Sequence, residues 1–415
     1  MRLQIYRTQT AARAGGDEPP GAGAWARFGE ETLLLSDDAE TPATRAPGRA
    51  APELERRVDA TPDELYVVVQ NGRLFQQHNP DVPVVHDRGR YLLVKLNPPR
   101  AQKLASSHPT CFTVLPLAGN EVAFESRAAA AAPRRAPASF VRDAVNRLER
   151  ASLEAALTKL VSFRTRHSTS TDFSRAATWA RQQLNRMNFQ TRTQTVPLDG
   201  GGNSRNVIAD KAGAGGGARR LVLVTAHLDS INLEDGPAAP APGADDNASG
   251  SAGLLEIARA LSGFRNEHDL RFVLFGGEEQ GLFGSTRHVA GLTPAERARI
   301  SAVVNMDMIG TLNTQRRSFL VEGAPVSRAV IEKVAAAAAA FTQLAVETSL
   351  KAANSDHVPF IRAGLPAVLA IEGADNTNDA VHSARDVPAR INFDYSLEIL
   401  RAVTGFVADE LGEAA

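Results

Sequence analysis

The chain has 415 residues, a formal net charge of −1, 43% hydrophobic and 22% charged residues. That length leads to an expectation of two domains with a core large enough for a deep site, and the near-neutral balance gives no electrostatic ground for a nucleic-acid or anionic-membrane partner. No run of about 18 apolar residues occurs, which excludes a membrane-spanning helix.

The N-terminus, MRLQIYRTQTAARAGGDEPP, lacks the apolar stretch of a secretory signal. A cytoplasmic location is the default expectation, with secretion left open, and nothing in the sequence sets the oligomeric state. Residues 1–60 are rich in Ala, Pro, Gly and Arg, with short strand-like pieces at LQIY and ETLLLS. Apolar β-type runs follow at Leu65 to Val69, Tyr91 to Leu96 and Phe112 to Leu117. Turn-forming residues separate them, which predicts a small β-rich domain over residues 1–126. The single cysteine, Cys111, is expected to be a small core residue. The stretch RAAAAAPRRAPA at 127–138 marks a change of composition and is the expected linker.

From residue 139 the pattern alternates between helix and strand. Helical periodicity runs over 139–162 and 173–187, then over Ala248 to Leu261 and Val326 to Phe341. Buried strands are expected at Leu221 to Thr225, Leu270 to Phe275, Ala302 to Met306 and Ala367 to Ile371. The expected architecture for 139–415 is α/β, a central mostly parallel or mixed sheet flanked by helices.

Open sheets of this kind place ligands beyond the carboxyl ends of their strands. The residues just past those ends carry the chemistry: AHLDS with His227 and Asp229, GGEEQG with Glu278 and Glu279, NMDMIG with Asp307. The loop PGADDNASG brings Asp245 and Asp246, and VHSARD brings His382. Each piece alone reads equally well as a turn, a helix cap or a solvated surface. Together they put imidazoles and carboxylates from five segments at one sheet edge, where the carboxylates repel unless cations neutralise them. A His and carboxylate set without thiolate suits zinc or another divalent ion. The surplus of ligands over one site suggests two ions about 3.5–4 Å apart sharing a bridging carboxylate.

With those motifs in place, the chain from about residue 145 onward resembles the M28 family of metallopeptidases, in which bacterial leucyl aminopeptidases are found. The segments AHLDS, PGADDNASGSAG, FGGEEQGLFGS, NMDMIG, SDHVPF and HSARD occur in the family's order. The resemblance implies a zinc-peptidase fold, two zinc ions per chain, and peptide substrates with a free N-terminus. It implies His227 as a ligand of one ion, with Asp229 orienting it, and Asp246 as the bridge, followed by a cis peptide to Asn247. Glu279 and His382 are implied for the other ion, and Asp307 for the second ion's remaining carboxylate. Glu278 is implied as the general base. Ser355 and Asp356 are implied as supports outside the ligand set, and His357 as structural. One departure stands out: Ala352 and Val381 occupy positions where some members carry an oxyanion-stabilising tyrosine.

Other readings remain on the same fold. A carboxypeptidase or dipeptidase would use the same metals, and Arg385 is the nearest basic residue to receive a C-terminal carboxylate. Glutaminyl cyclisation at a single zinc fits a complete two-metal set poorly. A non-catalytic binding protein would be expected to have lost ligands or the base, and all six positions are filled.

Overall fold

The computed structural model describes residues 2–7, 24–36, 54–106, 112–117, 121–127 and 136–414. Cys111 and most of the 127–138 stretch lie outside the described residues. The N-terminal strands are β1 (Arg2–Arg7), β2 (Ala24–Phe28), β3 (Glu31–Ser36), β4 (Leu54–Arg57), β5 (Leu65–Gln70) and β6 (Val84–Arg88). They continue with β7 (Tyr91–Lys95), β8 (Phe112–Pro116) and β9 (Glu121–Arg127). Beyond them come β10 (Gln190–Pro197), β11 (Asn203–Lys211), β12 (Leu221–His227), β13 (Asp269–Phe275) and β14 (Ile300–Met306). The last three are β15 (Ser318–Glu322), β16 (Ala345–Ser349) and β17 (Ala367–Glu372).

Among the described residues, thirteen strands form one mixed sheet, in the order β10-β11-β13-β12-β14-β17-β15-β16-β9-β2-β3-β1-β4. Its centre is parallel: β12 lies between β13 and β14, and β14 pairs with β17. All seven residues of β12 are buried, as expected of a strand covered on both faces. Helices Ser139–Asn146, Arg150–Val161, Thr171–Arg186, Gly250–Leu261, Arg328–Phe341 and Phe393–Leu411 flank the sheet. Their apolar residues, among them Leu157, Ala177, Leu254, Val334 and Phe406, share one core with Val222, Val224, Phe272 and Val304. No helix of the described residues is long and apolar enough to cross a membrane.

Two expected helices differ in detail. The 139–162 helix is two helices because residues 147–149 are drawn to a neighbour: Glu149 N donates to Glu256 Oε1 at 2.5 Å, and Arg259 donates to the Arg147 carbonyl. The helix expected from Ala248 begins at Gly250, after an irregular turn over Ala244–Ser249. The β10–β11 hairpin carries no clear apolar alternation, since β10 reads QTRTQTVP and is largely exposed at the sheet edge.

The small sheet, in the order β6-β7-β5-β8, packs on the large one. Strand β5 is buried on both faces, and its alternation sorts the two contacts. Tyr66 and Val68 meet Phe75, Phe112 and Val114. Leu65, Val67 and Val69 meet Leu320, Leu369, Ile371 and Met308. Strand β9 pairs with β16 on one side and β2 on the other, so hydrogen bonding runs unbroken from the central strands into the N-terminal ones.

Candidate metal centre

Parallel neighbours end side by side, so the residues that follow them converge. His227 closes β12, Glu278 and Glu279 follow β13, and Asp307 follows β14. These four, with Asp246, His382, Asn71, Met308, Leu369 and Ile371, line a cavity of about 10 Å³. That is room for about one water-sized body.

Asp246 is the centre of the arrangement. Its Oδ1 lies 3.2 Å from His227 Nε2, and its Oδ2 lies 3.0 Å from His382 Nε2. Asp307 Oδ1 is 3.2 Å from His227 Nε2, and Glu279 Oε2 is 2.9 Å from His382 Nε2. Each carboxylate oxygen of Asp246 therefore faces its own pair of one histidine and one carboxylate. Asp307 sits with His227, apart from the Glu279–His382 pair. Glu278 joins neither pair by a hydrogen bond and faces the cavity between them.

The turn that carries Asp246 is held from three directions. Asp386 accepts from Asp245 N with Oδ1 and from Asp246 N with Oδ2, both at 2.9 Å. The buried Arg166 donates to the carbonyls of Leu228, Pro242 and Gly243 at 2.8, 2.5 and 2.9 Å. Gly243 has φ +51°, and a Cβ there would stand 2.3 Å from Asp246 O, which no side chain tolerates. Asn247 Nδ2 donates to Met306 O at 3.0 Å, and the Asp246–Asn247 peptide is cis, as the resemblance implies.

Asp229 Oδ2 accepts from Ser168 Oγ, Gly277 N and Glu279 N at 3.0, 3.0 and 3.3 Å, which fixes the loop bearing the glutamates. Its Oδ1 faces His227 Nδ1 at 3.6 Å, beyond hydrogen-bond length. Ser355 Oγ donates to Asp307 Oδ2 at 2.6 Å, and Asn305 and Thr225 extend that chain into β14 and β12. Asp356 is fully buried beside Glu278, and burial pushes its carboxyl up to about 7. His357 lies 3.5 Å from Glu322, away from the cavity. Arg166, Ser168, Asp386 and Asn71 went unrecognised in the sequence. Asp386 alone carried a signal, since it ends the HSARD segment.

Electrostatics fit a cation. Burial works against charge on His227 and His382, yet the surrounding carboxylates overcome it and hold both imidazoles well above their usual pKa. Burial raises Glu279 to about 7 and Glu278 well above the ordinary range. Asp246, opposed by burial, is held low by the two histidines. Among the described residues, His227, Asp246 and Glu279 offer ligand atoms within 4.8 Å of one another. Glu279 Oε1, His227 Nδ1, Asp229 Oδ1 and His382 Nδ1 are buried without a hydrogen-bond partner. Imidazole and carboxylate oxygens in this number form a donor set suited to zinc.

The chain is similar to known proteins in sequence and in fold. Residues 206–407 match the model of peptidase family M28. Two probable leucine aminopeptidases of Trichophyton verrucosum are similar, one 29% identical over 80% of this chain and 94% of its own length. The other is 30% identical over 66% of this chain and 74% of its own. In structure, LapB from Legionella pneumophila superposes with a TM-score of 0.60 at 18% identity, covering 84% of this chain and 99% of that one.

Proposed function

Given that the chain belongs to peptidase family M28 and is a metallopeptidase of the aminopeptidase type, we propose that it removes N-terminal residues from peptides at two bridged zinc ions, with Glu278 as general base. The observation that carries this reading is the division of Asp246, one carboxylate oxygen toward His227 and Asp307, the other toward His382 and Glu279. His227, Asp307 and Asp246 would hold one ion, and His382, Glu279 and Asp246 the other. Zinc bound there supplies Lewis acidity toward the scissile carbonyl and lowers the pKa of water.

The chain's own groups do the rest. Glu278 takes the proton of the attacking water on a carboxylate oxygen and returns it to the leaving amine. Asp386 and Arg166 keep Asp246 in place, and Ser355 orients Asp307. The reading makes 139–415 the peptidase domain, with the β-rich 1–126 joined to it through one continuous sheet.

Polarity follows from charge. Among the described residues that line the cavity there is no lysine or arginine, while four carboxylates do line it. Arg385 is exposed and committed to Glu234 Oε2 and the Asp379 carbonyl, at 2.7 and 2.9 Å. Among the described residues, no basic side chain is therefore placed to receive a C-terminal carboxylate, which favours the aminopeptidase reading over the carboxypeptidase one. Leucyl p-nitroanilide should be cleaved by the zinc-loaded protein and its N-acetyl derivative should not, because groups that receive the amine would be left unpaired. Equal kcat/KM for the two would refute the aminopeptidase reading and leave the metallohydrolase standing.

A further inference from the structure

The support of one half of the metal centre begins in the N-terminal region. Asp307 presents Oδ1 to His227 Nε2 at 3.2 Å, while its Oδ2 takes the Ser355 hydroxyl at 2.6 Å. Asn305 Nδ2 donates to Ser355 Oγ at 2.8 Å, which leaves the hydroxyl hydrogen for the carboxylate. Ser355 lies in the loop between β16 and the helix His357–Arg362, so the path of that loop sets where the hydroxyl points.

The path is held at the residue before it. Asn354 is buried and has φ +59°, a left-handed conformation that asparagine tolerates better than most residues. Both hydrogen bonds of its side chain go to the small sheet. Its Nδ2 donates to Val69 O at 2.9 Å, and its Oδ1 accepts from Thr113 Oγ1 at 2.8 Å. Val69 of β5 and Thr113 of β8 are register partners, so two adjacent strands grip the amide at one point. The Asn354 carbonyl accepts from Asn71 Nδ2 at 3.2 Å, a third tie to the same region. One residue earlier, Ala353 N donates to Glu322 Oε1 at 3.0 Å, and Arg90 donates to that glutamate through Nε and Nη2. The other half of the centre lacks such a tie. Among the described residues, neither Glu279 nor His382 hydrogen-bonds to residues 1–126, and Glu279 N donates to Asp229 Oδ2 instead.

We propose that Asn354 is a positioning residue through which the N-terminal strands set the affinity of the ion held by His227 and Asp307, and not that of the ion held by His382 and Glu279. The proposal rests on the two-ion reading above. A group that orients a ligating carboxylate is worth about 10–100-fold in metal affinity, and an orienting hydroxyl is placed only as well as the backbone that carries it. Residues 1–126 thus contribute to the metal centre although every proposed ligand lies outside them.

The test is zinc binding by the full chain, measured in competition with chelators of graded affinity. Asp307→Asn and Glu279→Gln first identify which binding step belongs to which half. Asn354→Gly keeps the left-handed backbone accessible and removes both side-chain bonds. It should weaken the step marked by Asp307→Asn by about 10–100-fold and leave the step marked by Glu279→Gln unchanged. Thr113→Val keeps the branched shape and loses the hydroxyl; it should give a smaller loss at the same step, and Thr113→Ser should recover it. Arg100→Ala, at an exposed ion pair with Asp81 in the same region, should match the parent. If Asn354→Gly does not fold, the two Thr113 variants decide the question by the same measurement. In a parent that binds two ions, an unchanged Asp307 step in these variants, or equal losses at both steps, would overturn this inference alone. A parent that binds fewer than two zinc ions would overturn the two-ion reading and this inference together.

Discussion

Two clusters of buried charge lie on either side of Asn71, and they are built on opposite rules. Around Glu322 every oxygen is answered. Arg90 and Tyr91 donate to it from the N-terminal region, Ala353 N donates from the catalytic side, and Asp375 shares the same guanidinium. Around Asp246 the carboxylates outnumber their partners, and among the described residues no arginine or lysine enters the cavity. Both clusters are inside the protein, where uncompensated charge is costly. The first carries its own cation and holds two regions together. The second leaves Glu279 Oε1 without a hydrogen-bond partner and, on the reading proposed above, is completed by metal ions. Burial of acids thus does not by itself mark a site; the missing counter-charge does.

Substitutions can break or sharpen this contrast. The largest effect should come from Glu278→Gln, which keeps the shape and removes the base. We expect kcat to fall by about 10²–10⁴-fold with zinc content unchanged, and loss of zinc in this variant would reassign Glu278 as a ligand. Arg90→Met should leave Glu322 and Asp375 buried without their cation and cost about 3–5 kcal/mol of stability in urea unfolding. In zinc-free protein, Glu279→Gln should cost far less, or stabilise, because it removes one of several like charges. A large loss there would erase the distinction between the clusters.

Asp386→Asn tests the scaffold of the metal half. It retains an oxygen acceptor but not the carboxylate that takes both Asp245 N and Asp246 N, and zinc affinity should fall by about 10–100-fold. Competition with a chelator of known affinity measures this, and an unchanged affinity would show that Arg166 and Gly243 suffice.

The smallest effect concerns acid. Burial opposes charge on Glu322, yet Arg90 and His357 hold its carboxyl at about 2, below the ordinary 4.5. A folded pKa below the unfolded one means the contribution is complete above about 4.5 and is lost as pH falls toward about 2. Asp375, raised by burial to about 6, works in the opposite sense. The difference between parent and Glu322→Gln isolates the first group. Their urea midpoints should draw together as pH falls through that window, and a constant gap would contradict the assignment.

Much of the catalytic half is legible in the order of residues alone. Apolar runs such as LVLVTAH and RFVLF announce strands covered on both faces, and polar residues directly after them must gather at one edge. That logic locates His227, Glu278, Glu279 and Asp307, the neighbouring loops bring Asp246 and His382, and the family resemblance implies their roles. The break near Arg147 and the β10–β11 hairpin are not legible, because a distant glutamate and an exposed edge, not local pattern, decide them.

What the sequence alone determined was the inventory: which strands form the parallel centre, and which imidazoles and carboxylates follow them. Local periodicity and residue chemistry carry that information. Tertiary structure alone decided how the inventory divides. It placed Asp307 with His227, gave each half of the centre one oxygen of Asp246, and brought Asp386 and Arg166 beneath the Asp246 turn. It also carried Asn71 into a cavity whose other polar residues lie more than 150 positions away in the chain. The reason is physical: partners so far apart leave no periodic trace, and only the packing of one sheet on another sets which of them meet.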